Sequence, residues 1–158
     1  MKINNITLKG VAFIDDSSSI NNVILGDGVK IAKRCSIFGS EKTVLEIGDD
    51  TYIGMNSCIN GFMANIKIGR NVSIAQNVNV MADSGPNASD EMQKFYPLIY
   101  GEITIGDHSW IGANSVILPN VKLGKFCVVA SNSMVNDSFD DYSVVGGNPA
   151  RLIKLLKK

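Results

Sequence analysis

Side chains that could carry acid–base chemistry occur at two places of interest in this sequence. The chain has a single histidine, His108, in the run IGDHSW, and a short polar segment holds Asp83, Ser84 and Asn87 around Pro86. An imidazole or a carboxylate can accept a proton from a reacting hydroxyl or amine, and serine or asparagine can bind such a group. Each also has a plainer interpretation, because Asp before Ser-Gly-Pro is typical of a turn and His108 suits a solvated corner.

A second group of candidates lies near the carboxyl end. Arg151 follows the run GGNPA, and Lys154 comes three residues later. Fixed cations of this kind suit a phosphate-rich ligand. A solvated basic tail is the alternative, since Lys157 and Lys158 extend the same charge, so both interpretations stay open at this point.

An aliphatic residue recurs every six positions between Leu25 and Val135, apart from three interruptions. A fixed short period of this kind predicts a solenoid, in which each repeat packs against its neighbours. The recurring residues are Leu25, Ile31, Ile37, Ile47, Ile53, Ile59, Ile68, Ile74, Val80, Ile105, Ile111, Ile117, Leu123, Val129 and Val135. Residues 1 to about 24 are expected to form an irregular first coil.

Three interruptions of the period divide the repeats into groups of three. They fall within residues 37–47, 59–68 and 80–105, where the spacing is one hexad plus 4, 3 and 19 residues. Three hexads make one coil of a triangular prism. The insertions should therefore all emerge near the same corner.

The position two residues before each aliphatic is small in nearly every hexad. Because side chains alternate faces along a strand, these residues share the inward face with the aliphatics, and a narrow interior accepts one large and one small side chain per side. The small positions are Val29, Cys35, Thr51, Ser57, Val72, Val78, Ser109, Ser115, Val121, Cys127 and Ser133. Of the three cysteines only Cys58 lies outside this set, which favours packing over a disulfide framework.

The longest insertion, about 82–102, is unusually apolar for a surface loop. It includes Met92, Phe95, Tyr96, Leu98 and Tyr100, which would need a partner surface. A loop this long in a compact domain is usually functional or disordered, so we expect it to be interfacial. Helix is expected only in part of this insertion and in the tail from Ala150.

Composition favours a single domain over residues 1–158. The formal net charge of zero gives no reason to expect nucleic acid as a partner. No apolar run approaches the roughly 20 residues that span a bilayer, and the start MKINNITLKG lacks the apolar core of a signal peptide. We therefore expect no membrane span and a cytoplasmic location.

Two stretches carry a family resemblance: ITIGDHSWIGANSVILPNVKLG, residues 103–124, and YSVVGGNPARLIK, residues 142–154. Over residues 25–158 the chain resembles the hexapeptide-repeat acyltransferases and looks closest to their sugar O-acetyltransferase branch. The resemblance implies an all-β fold: a left-handed parallel β-helix of about five triangular coils, with a long loop insertion and a short C-terminal helix or tail over about 138–158. It also implies a homotrimer whose acceptor and acyl-CoA sites lie in clefts between neighbouring prisms.

The reaction that the resemblance implies is transfer of an acetyl group from acetyl-CoA to a hydroxyl or amine of a sugar or sugar-containing acceptor. The related enzymes use a histidine base near the start of the long insertion, which corresponds here to Ser84 or Gly85. No histidine is present there, so Asp83 and His108 become the candidate bases. Ser84 and Asn87 are candidates for binding the acceptor.

The acyl-CoA site is implied by motif positions in the last coils. Trp110 corresponds to a tryptophan that packs beside the pantetheine arm. Ala113 and Ser131 fall where backbone groups of the related enzymes bind the pantetheine amides. For each residue the alternative is structural: a tryptophan buried by the trimer, or small residues of the kind common in these coils.

The carboxyl end carries the positions implied to contact the nucleotide part of the cosubstrate. Arg151 matches a basic residue that contacts phosphates, and Lys154 would follow it one turn later in a helical tail. Asn136 and Asp137 stand where relatives often have Thr-Lys, so Asn136 occupies a cofactor-binding position without the usual neighbouring cation.

A noncatalytic role is the main alternative. A trimeric hexapeptide-repeat protein that binds CoA or a partner, but lacks the catalytic base, would also explain the missing loop histidine. A γ-type carbonic anhydrase needs three metal-binding histidines at distinct positions, which a chain with one histidine cannot supply. We therefore expect no metal site.

Overall fold

Short parallel strands stack into a three-sided solenoid in the computed structural model of the protein, which describes residues 2–157. Met1 and Lys158, the two ends of the expected domain, lie outside the described residues. One α-helix and twenty-one strands are found within residues 2–157. They are β1 (Lys2–Leu8), β2 (Phe13–Ile14), β3 (Ser19–Leu25), β4 (Lys30–Ile31), β5 (Ser36–Phe38), β6 (Leu45–Ile47), β7 (Tyr52–Ile53), β8 (Cys58–Asn60), β9 (Ile66–Ile68), β10 (Ser73–Ile74), β11 (Asn79–Met81), β12 (Asp83–Ser84), α1 (Asp90–Gln93), β13 (Ile99–Tyr100), β14 (Ile103–Ile105), β15 (Trp110–Ile111), β16 (Val116–Ile117), β17 (Lys122–Leu123), β18 (Val128–Val129), β19 (Met134–Val135), β20 (Ser143–Gly147) and β21 (Ala150–Leu155).

The three sides of the prism follow from the strand pairing. One side is an eight-stranded sheet in the order β2-β4-β7-β10-β15-β18-β20-β21. The other two sides are joined into one eleven-stranded sheet by β3, whose first residues pair with β5 and whose last residues pair with β6. The parallel solenoid has about six turns, close to the five expected.

The amino-terminal coil is more regular than its sequence suggests. Strand β1 pairs with β3 in parallel from Lys2↔Ser19 to Leu8↔Leu25, and β2 pairs with β4. The expected irregular first coil is therefore wrong. The hexad pattern is weak there because this end coil has a neighbour on one side only, so fewer of its side chains must be apolar.

The interior confirms the two inward positions of each hexad. Every recurring aliphatic residue from Leu25 to Val135 is at most 3% exposed, and every small residue two positions earlier is buried. The buried hydroxyls are satisfied between coils: Ser57 Oγ donates to the Ala75 carbonyl at 3.1 Å and accepts from the Val78 N–H at 3.2 Å. No buried side-chain nitrogen or oxygen among residues 2–157 lacks a hydrogen-bond partner.

All three insertions emerge at one corner, as the spacing predicts. We call this the insertion corner; it comprises residues 39–44, 61–65 and 82–102. The Gly61 N–H donates to the Phe38 carbonyl at 2.8 Å, and the Ala82 N–H donates to the Asn60 carbonyl at 2.9 Å. The start of each insertion is thereby stacked on the coil before it.

The long insertion is an arm with a paired base. Strands β12 and β13 pair antiparallel, with Asp83 opposite Tyr100 and Ser84 opposite Ile99. Between them lies α1, whose N-cap is Ser89: its hydroxyl accepts from the Met92 N–H at 3.1 Å. The expectation of a short helix in the insertion is confirmed.

The expected helix at the carboxyl end is wrong. The chain reverses after Gly147, and β21 pairs antiparallel with β20. The last parallel strand offers a free edge of N–H and C=O groups, so a following segment gains more by pairing with it than by forming a short helix. No helix within residues 2–157 is long and apolar enough to cross a membrane.

Candidate functional site

A cavity of about 370 Å³ lies at the base of the arm and contains three of the candidate residues. Its volume is at the lower end of the range for small-molecule sites. Strand β12 supplies Asp83 and Ser84, and Asn87 follows three residues later. The lining residues are Phe38, Asn60, Phe62, Met63, Asp83, Ser84, Asn87, Leu98, Ile99 and Tyr100.

The polar side chains of this cavity are available to a ligand. Asp83 and Ser84 are half-buried and Asn87 is exposed. Within residues 2–157, none of these three side chains makes a hydrogen bond or an ion pair. Asn60 is partly engaged, because its Oδ1 accepts from the Phe62 N–H at 3.0 Å. A half-buried carboxylate without a protein partner is a group that a ligand could complete.

His108 lies at a different corner, which we call the aromatic corner: residues His108, Phe126 and Tyr142. The three rings stack along the axis, with centroids 4.8 Å apart for His108 and Phe126 and 5.1 Å apart for Phe126 and Tyr142. All three have left-handed backbone conformations, with φ of 61°, 56° and 65°. The imidazole is exposed and does not line the cavity that contains Asp83.

The third corner holds the candidates for the pantetheine arm. We call it the asparagine corner, after Asn56, Asn77, Asn114 and Asn132, which have φ near 60°. Ala113 and Ser131 precede the last two of these residues on adjacent coils, and the Asn132 N–H donates to the Ala113 carbonyl at 2.9 Å. The two small residues are therefore stacked at one edge of the prism.

Trp110 and Lys154 lie on the side that leads into the asparagine corner. Trp110 pairs with Val128, Val128 with Val144, and Val144 with Lys154 across four neighbouring strands. At about 4.8 Å per strand, this places Lys154 about 14 Å from Trp110 along the axis. The Trp110 side chain is 56% exposed, so it is open to a ligand or a second subunit.

Arg151 contacts Asp137, the residue that follows Asn136. Arg151, on β21, pairs with Gly146 of β20 beneath the asparagine corner, and its Nη1 lies 3.2 Å from Asp137 Oδ2. Asn136 precedes Asp137 on the coil edge below the insertion corner, away from Ala113 and Ser131. The cation expected to meet phosphate therefore has an exposed carboxylate beside it.

Sequence reasoning missed four of the ten residues in the cavity wall. Phe38 and Asn60 end the strands β5 and β8, and Phe62 and Met63 belong to the second insertion. A signal was present: Phe62 and Met63 are consecutive apolar residues in a loop, and both are about half exposed. Stacking of the insertions at one corner brings these residues beside Asp83.

Cys58 is unsuited to act as a nucleophile. It lies half-buried on β8, and burial raises the pKa of its thiol above the ordinary value. A raised thiol pKa lowers the thiolate fraction that attacks electrophiles.

Two family models match segments of the solenoid. The bacterial transferase hexapeptide model matches residues 102–137, and the hexapeptide repeat of succinyl-transferase model matches residues 44–82. YvoF of Bacillus subtilis, a protein named as an acetyltransferase, is 35% identical over 92 residues, which cover 58% of this chain. The match spans about half of that relative's length, 49%.

Solved structures extend the similarity to nearly the whole chain. AntD, an N-acyltransferase from Bacillus cereus in complex with dTDP and 3-hydroxybutyryl-CoA, superposes with a TM-score of 0.82 at 27% identity, covering 96% of this chain and 83% of AntD. The hexapeptide-repeat-containing acetyltransferase VCA0836 from Vibrio cholerae is 32% identical with a TM-score of 0.64, covering 84% of this chain and 76% of that protein. The chain therefore belongs to the hexapeptide-repeat acyltransferase superfamily.

Proposed function

We propose that the protein transfers an acetyl group from acetyl-CoA to a hydroxyl or amine of a sugar or sugar-containing acceptor. The observation that carries the proposal is the placement of the candidate residues at two different corners. The acceptor candidates line the cavity at the insertion corner. The acyl-CoA candidates other than Asn136 lie along the asparagine corner and the side that leads into it. Family membership supports the reaction class, and these two surfaces support its two substrates.

In this proposal, acyl-CoA binds along the asparagine corner, beside Trp110. Small residues at Ala113 and Ser131 allow a pantetheine arm to approach the backbone, and Trp110 offers a flat apolar surface beside it. Lys154 and Arg151 lie further along the axis, where phosphates would follow the arm. AntD has been solved with an acyl-CoA, which supports the same type of ligand here.

The acceptor half uses the cavity. The Asp83 carboxylate takes the proton of the acceptor group, and the freed oxygen or nitrogen attacks the thioester carbonyl. Ser84 or Asn87 donates a hydrogen bond to the acceptor or to the developing oxyanion. The tetrahedral intermediate collapses with cleavage of the carbon–sulfur bond, and the CoA thiolate leaves. His108 is the alternative base.

The two halves meet between protomers in this proposal. A prism side of four to five residues at about 3.3 Å each is about 15 Å long, so the two corners of one chain are too far apart to share a reacting atom. A homotrimer brings the insertion corner of one prism against the neighbouring prism. The arm tip supports this arrangement, because Phe95 and Tyr96 are 77% and 71% exposed in the single chain.

Acetyl-CoA binding by calorimetry, run beside a thiol-release assay with sugar acceptors, tests the proposal. Saturable binding with acceptor-dependent thiol release is expected. The second candidate is a noncatalytic trimer, favoured by one observation: no histidine lines the cavity. Binding without thiol release for any acceptor would favour that candidate, and absence of binding would contradict the proposal. A cytoplasmic location remains part of the proposal.

A further inference from the structure

We infer that the acceptor is an amine carried on a ring with few hydroxyl groups, as in a deoxyamino sugar. This inference rests on the proposed acyl transfer and concerns the acceptor half of that site. The reacting group of the acceptor is then an amine and not a hydroxyl. Two features of the cavity beside Asp83 support this choice: its charge and its largely apolar wall.

The negative charge of the cavity favours a cationic ligand. Asp83 is the one charged residue among those that line it, and no lysine, arginine or histidine does. The cation nearest in sequence on the arm, Lys94, is held 2.6 Å from Glu91. A half-buried carboxylate with no cationic partner within residues 2–157 of its own chain favours a ligand that supplies one, and a protonated amine does so.

The wall of the cavity disfavours hydroxyl groups. Five of its ten residues have apolar side chains without a hydrogen-bonding oxygen or nitrogen, and a hydroxyl placed against them would lose its water partners without gaining protein partners. These residues are Phe38, Phe62, Met63, Leu98 and Ile99. A methyl or methylene group would instead gain contact with them.

Hydrogen-bonding capacity is small beside that wall. The Oδ1 of Asn60 already accepts from the Phe62 N–H, which leaves its amide nitrogen free. The Ser84 hydroxyl, the Asn87 amide and the Tyr100 hydroxyl complete the set. Together with Asp83 these groups can satisfy one amine and two or three further polar atoms, fewer than a fully hydroxylated hexose presents.

The chemistry of an amine acceptor balances with the groups present. The ammonium gives one proton to the Asp83 carboxylate, and the resulting amine forms a bond to the thioester carbon. Collapse of the tetrahedral adduct breaks the carbon–sulfur bond, and the thiolate takes the second nitrogen-bound proton. The products are the amide and free CoA, and Asp83 returns its proton to solvent.

Matched acceptors test the inference directly. We would compare dTDP-4-amino-4,6-dideoxyglucose, the sugar nucleotide bound to an AntD variant, with dTDP-6-deoxyglucose and dTDP-4-amino-4-deoxyglucose. The first comparison exchanges the amine for a hydroxyl, and the second adds a hydroxyl at carbon 6. We expect kcat/KM to fall by about 10²-fold or more for the alcohol and about 10-fold or more for the added hydroxyl.

Two variants assign the selectivity to the cavity. Asp83→Asn keeps the size of the side chain and removes its charge, so the preference for the amine over the alcohol, measured by calorimetric affinity, should be lost. Asp90→Asn is the matched control, because Asp90 lies on the same arm, is exposed and does not line the cavity. Its preference should equal that of the wild type.

Acetyl-CoA affinity separates failure of the inference from failure of the proposed function. If acetyl-CoA binds and the alcohol is bound or acetylated as well as the amine, the inference is overturned and the acyltransferase proposal stands. The same conclusion follows if Asp83→Asn retains the full preference, or if the amine is not bound at all. If acetyl-CoA does not bind, both are overturned.

Discussion

Polar side chains have hydrogen-bond partners in the interior of the solenoid, but several in the cavity beneath the arm do not. Inside, the Ser115 hydroxyl donates to the Ala130 carbonyl at 3.1 Å, and its oxygen accepts from the Ser133 N–H. In the cavity, the side chains of Asp83 and Ser84 have no partner within residues 2–157. Satisfied hydroxyls hold one coil to the next, whereas unsatisfied groups beside an apolar wall are free to meet a substrate.

The groups that hold the coils together are therefore separate from those that are available to a ligand. Substitutions in the interior should change the free energy of unfolding, and substitutions in the cavity should change turnover of the proposed reaction.

Asp83→Asn should cause the largest loss. If Asp83 is the base, kcat falls by about 10² to 10⁴, the usual contribution of general base catalysis. Neither acetyl-CoA affinity nor the midpoint of denaturant unfolding should change, because the carboxylate has no protein partner to lose. His108→Ala is the parallel variant, and a loss of kcat there, with full activity in Asp83→Asn, would transfer the role to His108.

Gly112→Ala should lower stability without entering the cavity. A Cβ at Gly112 would lie 2.6 Å from the Ser131 backbone nitrogen and 2.7 Å from the Val129 carbonyl oxygen, both in the next coil. We expect a loss of about 1–3 kcal/mol in the free energy of unfolding, measured with denaturant. Gly61→Ala is the control, because its Cβ would meet nothing closer than 3.5 Å. Equal stability of the two variants would contradict the tight stacking at this corner.

Replacing the aromatic residues at the tip of the arm, Phe95 and Tyr96, should weaken assembly of the protomers. Serine in place of both Phe95 and Tyr96 removes the most exposed aromatic surface of the chain, so the proposed trimer should dissociate at higher protein concentrations than in the wild type. Sedimentation velocity over a dilution series measures the change. Asp90→Ser on the same arm is the control and should leave assembly unaltered. If the Phe95 and Tyr96 double variant dissociates no more readily than the wild type, the arm does not contribute to the interface.

Arg151→Ala should have the smallest effect. The ion pair with Asp137 is exposed on both sides, so its loss costs little stability. Loss of a phosphate contact should weaken acetyl-CoA binding about 10-fold by calorimetry. Lys157→Ala, further along the same tail, is the control. Unchanged affinity in Arg151→Ala would exclude Arg151 from the site.

The solenoid was predictable because a narrow prism imposes the same demand on every hexad. An inward position such as Ile74 or Val78 meets neighbours of the same kind on the coils above and below it, so its residue type repeats. The terminal elements do not share this environment. Strand β1 has a neighbour on one side only, and β21 forms because β20 has a free edge, so neither is marked by the period.

The cavity was predictable only in part, for a related reason. Asp83, Ser84 and Asn87 were identified from polarity and position at the start of the insertion. Phe62 and Met63 come from another coil, and only the stacking of insertions brings them together. His108 lies at a different corner from Asp83 because it comes one hexad after the long insertion, between Ile105 and Ile111, whereas Asp83 lies inside that insertion.

Trimers that contain two different variants test whether the site is shared between protomers. Asp83→Asn removes the base from the acceptor half, and Ala113→Trp blocks the acyl-CoA half. Coexpressed with different tags and purified through both, the mixed trimers should regain about one third of wild-type activity, because threefold symmetry leaves one intact site in each. Activity no higher than that of either variant alone would place both halves within one protomer and contradict the account.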